Sequence, residues 1–542
     1  MVEVPPAHCD AVKWPDIIVS DAGEALDADC FTRRFEMACN SSPKGIELFA
    51  ISHARMKRSR PSRATVMKPF EFATPVAGYL EQRVLRKHAR ALHLWALGVG
   101  AVISGDFFGW TFGLVEGGFG GMVAALCVMT LLFAALCSSI AEMSPALPHA
   151  GGAYSFARTA MGPWGGYITG LAENMEYILT PAVIVVGLGG YLGSIFGTSS
   201  QWDPLWWLVC YVVFVGFNIA GVELSLRVSL WITLCALLIL MVFFVGATPR
   251  FDLRAWALAG GSWFPHGGSG VLRALPFALW VYLGIEQLPL AAEEAHDPGR
   301  DMPKGLWLGL GTLVVFAFLT VFLNAGIQPG AAVVGRSDEP LLLGFRTIFG
   351  PFALARILAL FACTGLAASF HAIIYAYGRQ IYSLSRAGYF PTWLSVTGGT
   401  RQTPGRALIA GSILGYGVAV TINLAGQKSP TGAVLLNMAV LGAVMSYVLQ
   451  MLSFLRLRQA FPSIHRPYRS SMGIAGAVLA ILIAGVTLVA LFLNSDYRLG
   501  VIGASVWFLL GILYFQFHGR RNLVLAPEEK FALEAQARGR TL

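Results

Sequence analysis

Residues 101–115 read AVISGDFFGWTFGLV, an apolar run with an aspartate, Asp106, near its middle. An unpaired carboxylate at the centre of a bilayer costs on the order of 3 kcal/mol on insertion scales, so it calls for a cation. Three more carboxyls fall inside apolar stretches, those of Glu173, Glu176 and Glu286. Arg227, Arg273 and Arg356 stand near the ends of such stretches, where a long side chain reaches the interface. No Lys or Arg occupies a centre, so fixed internal salt bridges explain the four carboxyls poorly. A cation that arrives and leaves fits better: a substrate ammonium, Na⁺ or H⁺.

Three roles suit Asp106: contact with a substrate ammonium, a place in cation or proton coupling, or a structural hydrogen bond to helix backbone. Residues 279–286 read LWVYLGIE. There Trp280 and Tyr282 can offer a ring face to an ammonium, a contact worth roughly 0.5–2 kcal/mol when desolvated. Glu286 is a candidate proton carrier, because a low dielectric penalises an ionised carboxyl; a hydrogen bond to helix backbone is the alternative. Glu173 and Glu176 lie three apart and share a helix face beside Tyr177, one suited to a pocket and the other to packing.

Other residues suggest little chemistry. His296 and Asp301 have the H-x-x-x-x-D spacing of membrane acyltransferases, but the match is two residues in a loop. His371 reads as a satisfied core histidine. GGAYSF, residues 151–156, lacks the lysine and strand context of a phosphate loop. Eight cysteines without a C-x-x-C pair or a Cys/His cluster read as small core residues, with no metal site assigned.

These side chains must be positioned by membrane helices. The chain has 542 residues, is 56% hydrophobic and 13% charged, and has a mean hydropathy of +0.62, the profile of an all-α polytopic membrane protein. Apolar runs of spanning length predict twelve transmembrane helices at about 93–115, 118–142, 165–195, 203–221, 226–247, 271–291, 305–327, 351–376, 406–425, 431–455, 473–494 and 499–517. The net charge of +9 reflects topology. With the N-terminus in the cytoplasm, roughly 18 Lys or Arg flank cytoplasmic span ends against about 6 opposite, which places both termini in the cytoplasm. The densest groups are Arg83, Arg86, Lys87 and Arg90, then Arg379, Arg386, Arg401 and Arg406, then Arg456, Arg458, Arg466 and Arg469. Orientation alone accounts for them, and no nucleic-acid partner is implied.

The expected organisation follows. Residues 1–66 are a polar, disordered extension, or lie upstream of a start at Met56 or Met67, with no apolar signal region; residues 67–92 form a cytoplasmic pre-helix segment. Two five-helix repeats occupy 93–247 and 271–455, a terminal helix pair 473–517 and a cytoplasmic tail 518–542. Span one is interrupted by Gly98, Gly100, Ser104, Gly105 and Gly109, and span six, five helices later, by Pro276 and Gly284. Breakers at matching positions of two halves predict a five-plus-five inverted repeat whose broken helices one and six cross at a midplane site. Close packing is the alternative for glycines, as for Gly187, Gly189 and Gly190 in span three.

Residues from about 80 to 455 resemble the amino acid/polyamine/organocation (APC) carriers, specifically their ethanolamine permeases. The stretches that carry the resemblance are GVGAVISGDFFGWTFGL (98–114), IAEMSPALPHAGGAYSFARTAMGPWGGYITGLAENMEYILTPAV (140–183) and FALWVYLGIEQLPLAAEEAHDPGRDMPKG (277–305). The resemblance implies an alternating-access fold of the LeuT/APC type, with substrate held where helices one and six unwind. It likens Trp280 to a tryptophan that closes over substrate in arginine/agmatine exchangers. Amino acid carriers of the family receive a substrate carboxylate on a Gly-Ser-Gly triplet; here the triplet is Ser104-Gly105-Asp106, whose acid repels a carboxylate and attracts an ammonium. Some proton-coupled relatives place a lysine in helix five, which span 226–247 lacks.

The resulting expectation is a secondary carrier importing ethanolamine across the cytoplasmic (inner) membrane. It is not an enzyme, needs no cofactor, and couples to H⁺ or Na⁺. Ile103, Ser104, Gly105, Asp106, Trp280, Tyr282, Gly284 and Glu176 bind substrate, backbone groups of 103–105 and 282–284 taking its hydroxyl; Glu286 and Glu173 serve coupling. An amino acid or polyamine permease is the alternative within transport. A channel and a membrane enzyme are the alternatives outside it.

Overall fold

A computed structural model describes residues 78–540 apart from 260, 338, 351–352, 398–400, 425–430 and 494–497. The expected extension at 1–66 and the side chain of Arg356 lie outside the described residues. The first crossing is assembled from pieces. Helix α1 (Ala91–Val102) gives way to the single turn α2 (Ser104–Phe107), and the chain passes Gly109 at φ +88° into α3 (Phe112–Ala146). A second left-handed glycine, Gly118 at φ +70°, separates residues 112–117, which finish the first crossing, from the second crossing. The same device recurs in α4 (Gly152–Phe196), where Gly162 at φ +76° divides a surface helix from the third crossing.

Helices α5 (Asp203–Ala220) and α6 (Val222–Ala247) complete the first repeat. The second opens with α7 (Gly267–Trp280), a turn, and a 3-10 segment, Ile285–Glu294. It continues through α8 (Pro298–Ala325), the short α9 (Ala331–Val334) and α10 (Pro340–Phe349), α11 (Ala353–Arg386), α12 (Gly405–Leu424) and α13 (Thr431–Ala460). The pair α14 (Gly473–Leu493) and α15 (Arg498–Phe517) precedes the terminal α16 (Pro527–Arg540). Among the described residues, ten stretches are long and apolar enough to cross a membrane, and Ala91–Phe107, Pro340–Phe349 and Gly405–Thr421 are shorter apolar helices. Leu482, Val489, Leu509 and Leu510 stud the outer faces of α14 and α15, apolar surface that a bilayer covers.

Two local expectations are corrected. Span eight continues to Arg386, and two of the arginines read as orientation charges are buried ion pairs. Arg379 binds Glu294 at 2.9 Å with its guanidinium over the Tyr375 ring, and Arg386 binds Glu293 at 2.6 Å. Arg458 likewise reaches Glu142, at 2.5 Å. A guanidinium can be carried into the protein when a carboxylate and hydrogen bonds wait there, a condition no local charge count registers. Of the three glycines in span three, Gly189 packs against Trp207, whereas a Cβ on Gly187 or Gly190 would meet nothing within 4 Å. Close packing therefore accounts for one of them.

All these arginines lie at one end of the bundle, the basic end, where the chain closes on itself. The N–H groups of His88 and Ala89 donate to the Glu294 carbonyl at 2.8 Å, and His296 N–H donates to Ala89 O at 2.9 Å. Arg83 donates to Ser395 Oγ, Tyr79 O and Thr392 O. The C-terminal residues fold back onto this surface: Arg158 meets Glu529 at 2.8 Å, and Tyr154 donates to Glu528 at 2.6 Å. A cavity of about 370 Å³ beneath them is lined by Arg83, Lys87, His149, Glu293, Arg386 and Pro527.

Candidate functional site at the crossing of two broken helices

The two breaks face one another. Helix α1 stops at Val102, and the Ser104 N–H, lacking a helical acceptor, donates to Ser369 Oγ of α11 at 2.9 Å; that hydroxyl donates onward to Gly100 O at 2.8 Å. Ser369 thus takes up both groups the interruption frees. A side chain at Gly105 has no room, because its Cβ would fall 2.9 Å from Trp280 O and from Val281 Cα. Opposite, Gly284 sits at φ +113°, and a Cβ there would lie 3.4 Å from Ala101 Cβ. Glycine at each break permits the left-handed turn or the backbone contact that brings the helices together.

Asp106 lies in this crossing and is 1% exposed. Its Oδ1 has no hydrogen-bond partner, and no Lys or Arg pairs with it among the described residues. The groups in front of it are the hydroxyl of Thr320 on α8 and the Tyr282 ring. Trp280 donates its indole N–H to Phe108 O at 3.1 Å and lies against Gly109, so the ring bridges the helix-one break. The Tyr282 hydroxyl is 2.8 Å from that of Thr130 on α3, and its ring centroid is 5.4 Å from that of Phe133.

Most of the backbone groups expected to bind a hydroxyl are engaged inside the protein. Besides Ser104, the N–H of Asp106 donates to Ile103 O, that of Tyr282 to Leu279 O and that of Leu283 to Trp280 O. Ile103 donates to Val99 O, and Gly284 donates to both oxygens of Glu286 at 3.0 and 3.1 Å.

The other carboxyls form a separate group. Glu176 of α4 and Glu286 are brought within hydrogen-bonding reach of each other, with Tyr447 of α13 beside Glu286 and Tyr177 alongside. Two carboxyls can bond only if one holds a proton, so the pair titrates as a unit. Glu173 points elsewhere: it accepts from Tyr154 N–H at 3.1 Å and from Gln380 Nε2 at 2.7 Å, tying α4 to α11. On helix five, α6, Thr233 faces Gly100 and donates to Ala96 O at 3.1 Å.

The remaining residues singled out in the sequence have structural partners. His371 is held by Asn218 Nδ2 at 3.1 Å and Ser225 O at 2.9 Å, a satisfied core histidine. Asp301 lies in the first turn of α8, its N–H donating to Asp297 O at 2.8 Å, and His296 belongs to the closure of the basic end. Ser369, Thr320, Thr130 and Tyr447 complete the site without having been legible in sequence. Each is a single polar residue in an apolar stretch, a signal many packing residues share.

A polytopic bundle with two helices broken over a buried carboxyl, for which no cationic partner is found among the described residues, has the architecture of a membrane transporter. Residues 93–524 match the amino acid permease family, and the chain belongs to it. Among curated relatives it is 28% identical to an uncharacterised transporter of Rhizobium meliloti, over 77% of this chain and 90% of that one. It is 24% identical to the branched-chain amino acid permease of Bacillus subtilis (82% and 96% covered) and 24% identical to the methylthioribose transporter of the same organism (84% and 98%).

Proposed function

We propose that the protein imports a small primary amine lacking a carboxylate, ethanolamine or a similar amino alcohol, by alternating access across the cytoplasmic membrane. Both termini lie in the cytoplasm in this reading, and H⁺ or Na⁺ drives accumulation. The observation that carries it is the unpaired Asp106 carboxyl at the break of helix one. An ammonium supplies the charge that site lacks, and Trp280 and Tyr282 border it with aromatic surface. The shared proton of Glu176 and Glu286 lies on the second broken helix, where a change of protonation acts on the Gly284 turn. Rocking of the helices around the crossing exposes the site to one side and then the other.

A second reading has its own support, since similar proteins include the branched-chain amino acid permease and a D-serine/D-alanine/glycine transporter of Escherichia coli. An amino acid would place its amine at Asp106 and need donors for its carboxylate. The N–H groups of Ser104, Asp106, Tyr282, Leu283 and Gly284 are committed elsewhere, which favours the substrate without one. Uptake of labelled ethanolamine, competed with choline, serine, putrescine and alanine, separates the readings. Saturable ethanolamine uptake resistant to serine and alanine is the expected result; saturable alanine or serine uptake without ethanolamine uptake would replace it with the amino acid reading.

A further inference from the structure

Among the described residues four arginines are buried, all at the basic end, and three of them hold a carboxylate: Arg158 pairs with Glu529 at 2.8 Å, Arg379 with Glu294 at 2.9 Å and Arg386 with Glu293 at 2.6 Å. The fourth, Arg83, is 7% exposed, and no carboxylate pairs with it among the described residues. Its contacts are neutral. Nε donates to Ser395 Oγ at 2.8 Å, Nη1 to Tyr79 O at 2.7 Å and Nη2 to Thr392 O at 3.0 Å, and the guanidinium carbon lies 3.7 Å from the centre of the Tyr79 ring. A charge that serves only to orient the chain can stay in water, whereas a buried one needs a counter-ion. The missing counter-ion has a place to sit. Arg83 borders the cavity of about 370 Å³, together with Lys87, which is exposed and also has no carboxylate partner, and with Arg386. The acid on that wall, Glu293, is already committed to Arg386 through both oxygens, at 2.6 and 3.1 Å. Two further donors of the same wall are unspent, since Nδ1 of His149 and Nε of Arg386 make no hydrogen bond. At roughly 30 Å³ per water the space holds about ten waters, far more than a chloride needs. Guanidinium forks beside a lysine point charge are the donor set that suits phosphate oxygens.

We infer that this cavity is a binding site for a phosphate group, carried by an anionic lipid headgroup or by a small soluble phosphate, with Arg83 and Lys87 as its charge partners. The inference does not depend on which solute is transported. The walls come from separate parts of the chain: the segment before α1 gives Arg83 and Lys87, the loop before α4 gives His149, the 3-10 segment gives Glu293, α11 gives Arg386 and the start of α16 gives Pro527. A ligand that joins them binds the folded chain alone and so raises its unfolding temperature. The full chain in neutral detergent is melted against rising inorganic phosphate or phosphatidylglycerol, with sodium chloride at matched ionic strength and phosphatidylcholine as controls. A saturable rise beyond the controls is expected. A response to phosphatidylglycerol alone assigns the site to a lipid headgroup, and a response to inorganic phosphate assigns it to a soluble phosphate. Arg83→Gln and Lys87→Gln should each raise the half-saturating concentration about tenfold, the value of a charge-assisted hydrogen bond. Arg86→Gln, an exposed neighbour outside the cavity lining, should leave it unchanged. Lys87→Gln decides the matter if the Arg83 variant does not fold. No saturable rise with either probe, equal stabilisation by phosphatidylcholine, an undiminished response in the Lys87 variant, or an equal loss in the Arg86 variant would overturn the assignment.

Discussion

At the scale of single residues, the chemistry turns on which carboxyls have partners. Glu142, Glu293 and Glu294 each hold an arginine, and Glu173 holds an amide and a backbone N–H. Asp106 holds none of these. Asp106→Asn preserves volume and removes the charge, so saturable uptake should fall by about one to two orders of magnitude, the value of a charge-assisted hydrogen bond, with membrane expression unchanged. Wild-type uptake by that variant would remove Asp106 from the pocket. Glu286 sits differently, folded onto its own Gly284 N–H and against Glu176. If the pair carries the coupling proton, Glu286→Gln and Glu176→Gln should each flatten the pH dependence of uptake, because neither remaining carboxyl can share a titrating proton with an amide. An unchanged pH profile in both would assign coupling elsewhere.

At the scale of elements, the crossing of helices one and six depends on backbone meeting backbone. The Cβ of Gly105→Ala would meet the carbonyl of Trp280 and the Cα of Val281, atoms that cannot rotate away as a side chain does. Overpacking of this kind costs about 1–3 kcal/mol, and here it forces apart the two helices that form the site. Gly105→Ala should therefore lower uptake at least tenfold and lower the unfolding temperature in detergent. Gly190→Ala, with open space around the added atom, should leave both near wild type. Equal behaviour of the two variants in a paired uptake and melting experiment would show that the contact is not limiting.

At the scale of the whole molecule, the basic end is held shut from two directions. The segment before α1 is bonded to the end of the 3-10 segment and to the loop after α11, and the C-terminal residues bridge the α4 surface helix to that same loop. Arg158 joins them, donating to Ala387 O and to Val524 O while pairing with Glu529. Ala292 lies fully buried under this closure, beside the cavity. In a chain ending at Ala526, a cysteine introduced by Ala292→Cys should react several-fold faster with a membrane-impermeant maleimide applied from the basic end. An unaltered labelling rate would mean that α16 takes no part in closing it.

The sequence by itself determined the membrane class, the run of apolar spans, the two interruptions and the four acids set within the spans. Each of these is written in neighbouring residues: hydropathy over some twenty positions, glycine where a helix must stop, a charge with no opposite charge nearby. Only the tertiary structure decided partnership. It took Ser369, 265 positions from Ser104, to close the helix-one break, and it matched Arg379 with Glu294 across 85 positions, so that an apparent topology signal became a buried ion pair. It sent Glu173 and Glu176, three apart on one helix, to different neighbours, and turned Thr320 toward Asp106. A side chain's partner depends on which distant helix packs in front of it, and periodicity along a single helix carries no record of that choice.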